Sequence, residues 1–102
     1  MKPEIKPGLV VISRMGRDKN RVFVVLYEVD ADFVMVADGR NRPLDRPKRK
    51  RRKHLMATVQ EFPDLIDKSQ RGKLTDHDLR TALDRLQHSP DDPPKGGKFV
   101  QE

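Results

Sequence analysis

Residues 8–28 read GLVVISRMGRDKNRVFVVLYE, in which a polar, basic loop separates two apolar runs. The first run, residues 9–12, and the second, residues 21–28, are rich in β-branched residues, which pack well on the pleated surface of a sheet. This pattern predicts two neighbouring β-strands joined by a loop at residues 13–20.

The segments that follow predict three further strands. Residues 33–37 are too short for a helix and rich in strand formers, residues 40–44 suit a brief edge strand limited by its proline, and residues 54–59 suit a last strand. Asp38-Gly39 is a strong turn signal because both residues tolerate positive φ. Five short strands in fewer than sixty residues predict a mainly β fold with a small closed barrel over residues 1–58.

From residue 61 the apolar pattern becomes helical, which predicts one or two C-terminal α-helices within an extension at residues 59–88. A short helix is expected at residues 62–68, and Thr75 and Asp78 have the spacing of a capping box at the start of the next helix. One apolar stripe follows, formed by Leu79, Ala82, Leu83 and Leu86. We expect the stripe to pack on the barrel, and the alternative is that it docks a partner protein.

Residues 89–102 are dominated by proline, glycine and charged side chains. Such a segment cannot bury enough apolar surface to offset the entropy lost on ordering. The sequence therefore predicts a disordered tail.

Charge is distributed unevenly along the 102 residues, which carry a net charge of +6. Residues 1–58 hold fifteen Lys and Arg against seven Asp and Glu, whereas residues 59–102 hold seven against nine. Clustered cations attract phosphate over about a Debye length of ~10 Å, so the basic half predicts a polyanionic partner. Solubility alone is the alternative explanation.

The two strands and their loop resemble the KOW motif, an RNA-binding segment of several ribosomal proteins and of NusG-type transcription factors. The chain is most similar to small bacterial KOW-domain proteins, themselves similar to large-subunit ribosomal proteins of archaea and eukaryotes. These carry a G-R-D-K-G-R-like loop and a basic run ending in K-H-L, which correspond here to residues 16–21 and 53–55. The resemblance covers about residues 5–88 and implies an SH3-like barrel that binds RNA.

One position departs from the KOW pattern, which has glycine where this chain has Asn20. The pattern needs a residue with positive φ there so that the loop can turn sharply. Asparagine is the next most tolerant residue, so we expect the fold to survive the change.

Two basic segments are the candidate RNA contacts. The loop contributes Arg14, Arg17, Lys19, Asn20 and Arg21, and the downstream run contributes Arg46, Lys48, Arg49, Lys50, Arg51, Arg52, Lys53 and His54. Like charges at the density of the run repel one another, so we expect it to be extended or mobile until a polyanion neutralises it. The alternatives are a solvated loop in which Asp18 pairs with a neighbour, and a nuclear localisation signal or heparin-like patch for the run.

Aromatic residues are few, and the sequence contains one tyrosine and no tryptophan. Phe23 and Phe33 lie within apolar strand runs and are expected in the core, which leaves Tyr27 as the candidate for base stacking. This scarcity favours recognition of phosphates and shape over reading of single-stranded bases.

No catalytic motif is present, and we expect no enzymatic activity, cofactor, metal site or small-molecule substrate. The chain has no cysteine, which excludes a disulfide framework and Cys-ligated zinc. Asp76-His77-Asp78 is interpreted as solvated first-turn residues, since neighbouring helix positions point in different directions. The absence of a signal peptide or long apolar run predicts a cytoplasmic protein that does not bind membranes. We expect a monomer.

Taken with the resemblance, these features predict an RNA-binding protein that associates with ribosomal RNA or the ribosome. The alternative is a transcription-elongation accessory of the NusG type that contacts polymerase or nascent RNA.

Overall fold

The computed structural model describes residues 4–87. This part of the chain is mainly β and contains strands β1 Leu9–Ser13, β2 Val22–Glu28, β3 Phe33–Ala37, β4 Lys48–Arg51 and β5 Leu55–Glu61, followed by helices α1 Pro63–Gln70 and α2 Asp76–Gln87. A single 3₁₀ turn, Arg52–His54, connects β4 to β5. The predicted disordered tail, residues 89–102, lies outside the described residues.

The five strands form one antiparallel sheet in the order β4-β3-β2-β1-β5. Within residues 4–87 no backbone pairing joins the edge strands β4 and β5, so the sheet is not closed into a barrel. The sequence therefore predicted the number of strands correctly, and the structure does not confirm closure.

The prediction of a strand at residues 40–44 is wrong, and the strand at this edge of the sheet is β4. Asp38 closes a turn there: its Oδ1 accepts from the backbone N–H groups of Arg40 and Arg42, each at 2.9 Å. The backbone N–H of Leu44 donates to Asp76 Oδ1 at 2.8 Å. Because these N–H groups are committed to side chains, they are not available for a β-ladder.

Both faces of the central strands are buried, which explains why their apolar runs are continuous rather than alternating. One face forms a cluster of Leu9, Val11, Phe23, Val25, Val34, Val36 and Leu55. The opposite face packs Val10, Val24 and Ala37 against helix residues Leu65, Leu79, Ala82 and Leu83. The prediction that the apolar stripe of α2 packs on the sheet is confirmed.

The helix boundaries follow the predicted signals. Pro63 occupies the first turn of α1, where its missing N–H costs no hydrogen bond. At the start of α2, the Asp78 backbone N–H donates to Thr75 Oγ1 at 3.2 Å and the Thr75 N–H donates to Asp78 Oδ2 at 3.1 Å. This reciprocal pair confirms the predicted capping box. Neither helix in residues 4–87 has the length and apolar character needed to cross a bilayer.

Candidate nucleic-acid interface

The loop between β1 and β2 folds as a tight turn that depends on Asn20. This residue has φ of 73°, and its backbone N–H donates to the Ser13 carbonyl at 2.7 Å. The Arg21 N–H donates to the Asp18 carbonyl at 2.8 Å. The expected left-handed conformation at Asn20 is confirmed, and asparagine is the residue other than glycine that tolerates it best.

Asp18, which is the loop's only carboxylate, points away from solvent. It is 8% exposed, and its Oδ2 lies 3.4 Å from Lys50 Nζ and 3.8 Å from the Arg42 guanidinium. Asp18 is therefore neutralised by cations from other segments, and the alternative that it pairs with a basic neighbour within the loop is not observed.

The outward side of the loop carries uncompensated positive charge. Arg14, Arg17 and Lys19 are exposed, and none of them has an ion-pair partner within residues 4–87. Arg21 is also exposed, and with the Asn41 amide oriented so that its oxygen faces the guanidinium, Arg21 donates to this neutral partner. The loop thus carries four exposed cations and one buried carboxylate whose charge is already offset.

The basic run is structured over residues 48–54. Strand β4 is extended, which is one of the two states expected for the run, and the effect of a polyanion on it stays a prediction. Strand β4 pairs with β3 through Val34↔Lys50 and Met35↔Arg49, so the edge of β3 supplies the backbone partners that order it. Because side chains alternate along a strand, the run is divided between two faces. Lys50 lies on the face of buried Val34, and its side chain is only 10% exposed.

Arg52 links three segments of the fold. Its guanidinium donates to Glu28 Oε1 at 2.6 Å and to the backbone carbonyl of Ile5 at 2.8 Å. A further hydrogen bond reaches the carbonyl of Asp30 at 3.2 Å. Arg52 and Lys50 are therefore both paired with groups of the protein. Of the predicted RNA-binding residues, these two are the least available to a phosphate.

The other members of the run are more accessible. Arg46 has only a long contact of 4.0 Å with the equally exposed Asp45. Lys53 is exposed, and Lys48 and His54 are partly exposed. The carbonyl of His54 accepts from the Arg14 backbone N–H at 2.8 Å, which fixes the end of the run directly beside the start of the loop.

Phe33 corrects another prediction. Phe23 is fully buried as expected, whereas Phe33 is only partly buried and lies under two guanidinium groups. Arg49 Cζ is 4.6 Å and Arg51 Cζ is 4.9 Å from the centre of its ring. The alternation of Phe33 with the buried Val34 was the sequence signal that placed this ring on the opposite face.

The acidic residues of α2 are engaged in local contacts. Asp76 accepts a hydrogen bond from the backbone N–H of Leu44, as described above. Asp78 caps the helix, and its Oδ1 lies 3.2 Å from Lys68 Nζ. The hydrogen bond from Lys68, and then that from the Thr75 backbone, lower the pKa of the Asp78 carboxyl below its ordinary value. Both carboxylates lie in the first turn of α2 as interpreted, but they are partly buried and hydrogen-bonded within the protein, so the expectation that they are solvated is wrong.

The fold brings the two predicted basic segments together and divides their residues into those paired within the protein and those exposed to solvent. Lys50 and Arg52 hold the fold, whereas the loop cations and the outward members of β4 face solvent. Neither a protein-family model nor a curated protein matches this chain.

Proposed function

We propose that this protein binds RNA through phosphate contacts made by the exposed cations of the β1–β2 loop. The observation that carries the proposal is the inward position of Asp18, which is 8% exposed. A loop whose carboxylate faced solvent would satisfy its cations locally. Here the carboxylate is paired with Lys50 and Arg42. Arg14, Arg17 and Lys19 are therefore available to bind an external anion.

The surroundings of the loop support an extended phosphate-binding surface. Lys53 and Arg46 are exposed, and the contact between Arg14 and His54 places the end of the run beside the loop. Contacts of this kind position a protein on a nucleic acid without reading its sequence. We therefore expect broad RNA binding with steep salt dependence.

We further propose that the sheet is a KOW-type SH3-like fold in which side chains bridge the gap between its edges. β5 lies beside β1, as a small barrel requires. Two side chains from the β4 side cross towards the segments that flank β1: Lys50 reaches Asp18, and Arg52 reaches the carbonyl of Ile5. These contacts support barrel-like curvature without a β4–β5 ladder.

The direct test compares two triple variants with the same net charge. The first replaces Arg14, Arg17 and Lys19 with alanine, and the control replaces Arg71, Lys73 and Arg85, which are exposed on or beside the helices. Affinity for a short fluorescent RNA is measured by anisotropy at several salt concentrations. Counterion release predicts that the loop variant loses about 2 to 3 from the slope of log K against log salt, because each phosphate contact contributes roughly 0.7 to 0.9.

The control variant should keep most of the parent's slope, since its substitutions lie away from the loop. Equal loss of affinity and slope in both variants would show that binding follows net charge alone. That result would contradict the assignment of the loop as the binding element.

Ribosomal RNA is the target that we propose, because the sequence resembles ribosomal KOW proteins. Sedimentation of cell lysate through a sucrose gradient tests it. We expect the protein in the large-subunit or whole-ribosome fractions, and we expect the loop variant to shift to the top of the gradient. Co-purification with RNA polymerase instead of ribosomes would favour a NusG-type role.

A further inference from the structure

The outer face of strands β2 to β4 carries an exposed group of aromatic and guanidinium side chains. Tyr27, Met35 and Arg49 lie in one row across the sheet, because Tyr27 pairs with Met35 and Met35 pairs with Arg49. Residues directly opposite one another in a ladder share a face. Phe33 and Arg51 form the next row on the same face, since they are also paired and lie two residues along each strand.

Tyr27, Phe33, Met35, Arg49 and Arg51 lie on the same side of the sheet as the helices. The helices cover only the other end of this side and do not extend over these residues. Ala37 is buried against helix residues, whereas Met35 and Phe33, further along the same strand, are only partly buried and belong to neither core cluster. Tyr27 is 52% exposed. An apolar and aromatic surface therefore remains open to solvent beside the buried sheet.

The charges on this face indicate what covers it. Arg49 and Arg51 both contact the Phe33 ring, at 4.6 and 4.9 Å from its centre, and neither has a carboxylate partner in the described chain. Two guanidinium groups held over one ring repel each other, and an anion placed between them offsets that repulsion. An aromatic surface rimmed by unpaired arginines is complementary to nucleotides, which combine a stacking base with a phosphate.

We propose that Tyr27 and Phe33 form a stacking platform for unpaired bases of RNA, with Arg49 and Arg51 holding the adjoining phosphates. The inference rests on the proposed RNA-binding function and names its substrate class, which is single-stranded RNA. In a duplex the base faces are stacked on one another and are not available to a protein ring. The platform thus gives the protein a preference for loops, bulges and ends that phosphate contacts alone do not provide.

The protein carries its own probe for this contact. Tyr27 is the only tyrosine in the chain, and there is no tryptophan. Tyrosine emission therefore comes entirely from the platform, and stacking of a base on Tyr27 quenches it. Quenching on addition of single-stranded RNA reports contact at this residue, and anisotropy of labelled RNA reports binding anywhere on the protein.

The experiment titrates the protein with a short unstructured RNA and with an otherwise identical RNA that contains abasic residues. The abasic RNA keeps its phosphates and loses its stacking bases. We expect it to bind about tenfold more weakly and to leave tyrosine emission largely unquenched. Tyr27→Ala should reduce this difference between the two RNAs, with the remainder due to Phe33, and Tyr27→Phe should restore it because phenylalanine also stacks.

A matched control is Val59→Ala, which shortens an 81% exposed apolar side chain on strand β5. We expect this variant to bind both RNAs as the parent does. Circular dichroism of each variant verifies that the sheet is intact, which is expected because Tyr27 is half-exposed.

The outcomes separate this inference from the function on which it rests. Equal affinities for the two RNAs, unquenched tyrosine emission and parental binding by Tyr27→Ala would overturn the platform. If the loop variant still weakened binding under those conditions, phosphate recognition would stand alone. Failure of the parent to bind any RNA would overturn both proposals together.

Discussion

Replacing Asp18 with asparagine should destabilise the fold strongly, because it leaves Lys50 inside the protein without a counter-charge. The two side chains are 11% and 10% exposed, and the carboxylate lies 3.4 Å from the ammonium. Removing one partner of a buried ion pair costs about 3 to 5 kcal/mol. The tips of both side chains retain some contact with solvent, so we expect about 3 kcal/mol for Asp18→Asn.

That loss should be visible in thermal and urea unfolding followed by circular dichroism. For a domain of this size, each kcal/mol shifts the melting temperature by roughly 4 to 8 °C, which gives a decrease of about 12 to 24 °C. The matched control is Asp45→Asn, since Asp45 is 84% exposed and its contact with Arg46 is 4.0 Å long. Loss of an exposed pair of this kind should change stability by less than about 0.5 kcal/mol.

A double variant determines whether the cost arises from the pair itself. In Asp18→Asn combined with Lys50→Met, neither member of the buried pair is charged, and such replacements are often close to neutral. We expect the double variant to be more stable than Asp18→Asn alone, with a coupling energy of about 2 kcal/mol. If Asp18→Asn is as stable as Asp45→Asn, the carboxylate is not needed inside the protein, and the reasoning that leaves the loop cations free is refuted.

Further predictions concern the turn and the helix cap. Gly39→Ala should lower the free energy of urea unfolding by at least about 2 kcal/mol, because its φ is +77° and an added Cβ would lie 2.5 Å from a backbone oxygen of α2. Its control is Gly16→Ala, which has a similar φ of +80° but open space around it, and should cost only about 1 kcal/mol. Thr75→Ala should cost about 1 kcal/mol by removing the hydroxyl of the capping box. Asp78→Asn should lower stability at neutral pH, because the Lys68 hydrogen bond lowers the carboxylate's pKa in the folded state. A group with a depressed pKa stabilises the fold above its unfolded pKa, so the difference from the parent should disappear in unfolding curves as the pH falls below about 4.

Local signals in the sequence predicted much of the fold because they act within a few residues. The spacing of Thr75 and Asp78 was sufficient to place the start of α2, and the need for positive φ was sufficient to interpret Asn20. The β-branched runs predicted β1 and β2, since strands buried on both faces have continuous apolar sequences.

Strand β4 was not predicted because its sequence carries no strand signal. Lys48–Arg51 consists entirely of basic residues, and it becomes a strand only because β3 presents an unpaired edge beside it. This outcome depends on tertiary context, which overrides propensity in sheets. The turn at Asp38 was recognised, but its side-chain hydrogen bonds to residues 40 and 42, which prevent a strand there, were not.

The candidate site was predicted in its composition but not in its geometry. The sequence indicated which residues were basic, yet only the three-dimensional arrangement distinguishes Lys50, which is paired with Asp18, from Lys19, which faces solvent. Asp18 and Lys50 are far apart in the chain, so no local pattern links them. Alternation with Val34 places the Phe33 ring on the opposite face of β3, but its partial exposure depends on where the helices end over that face, which no local pattern shows.

Backbone amide spectra recorded during titration with RNA test the central claim most directly. In a ¹⁵N–¹H correlation experiment, we expect the largest shift changes at residues 14–20, the segment that holds the exposed cations Arg14, Arg17 and Lys19. Amides of α2 near Arg85, an exposed cation on the helical side, should stay in place. Binding that shifts the α2 amides while leaving residues 14–20 unchanged would contradict the account, because it would place the RNA on the helices and not on the proposed phosphate-binding loop.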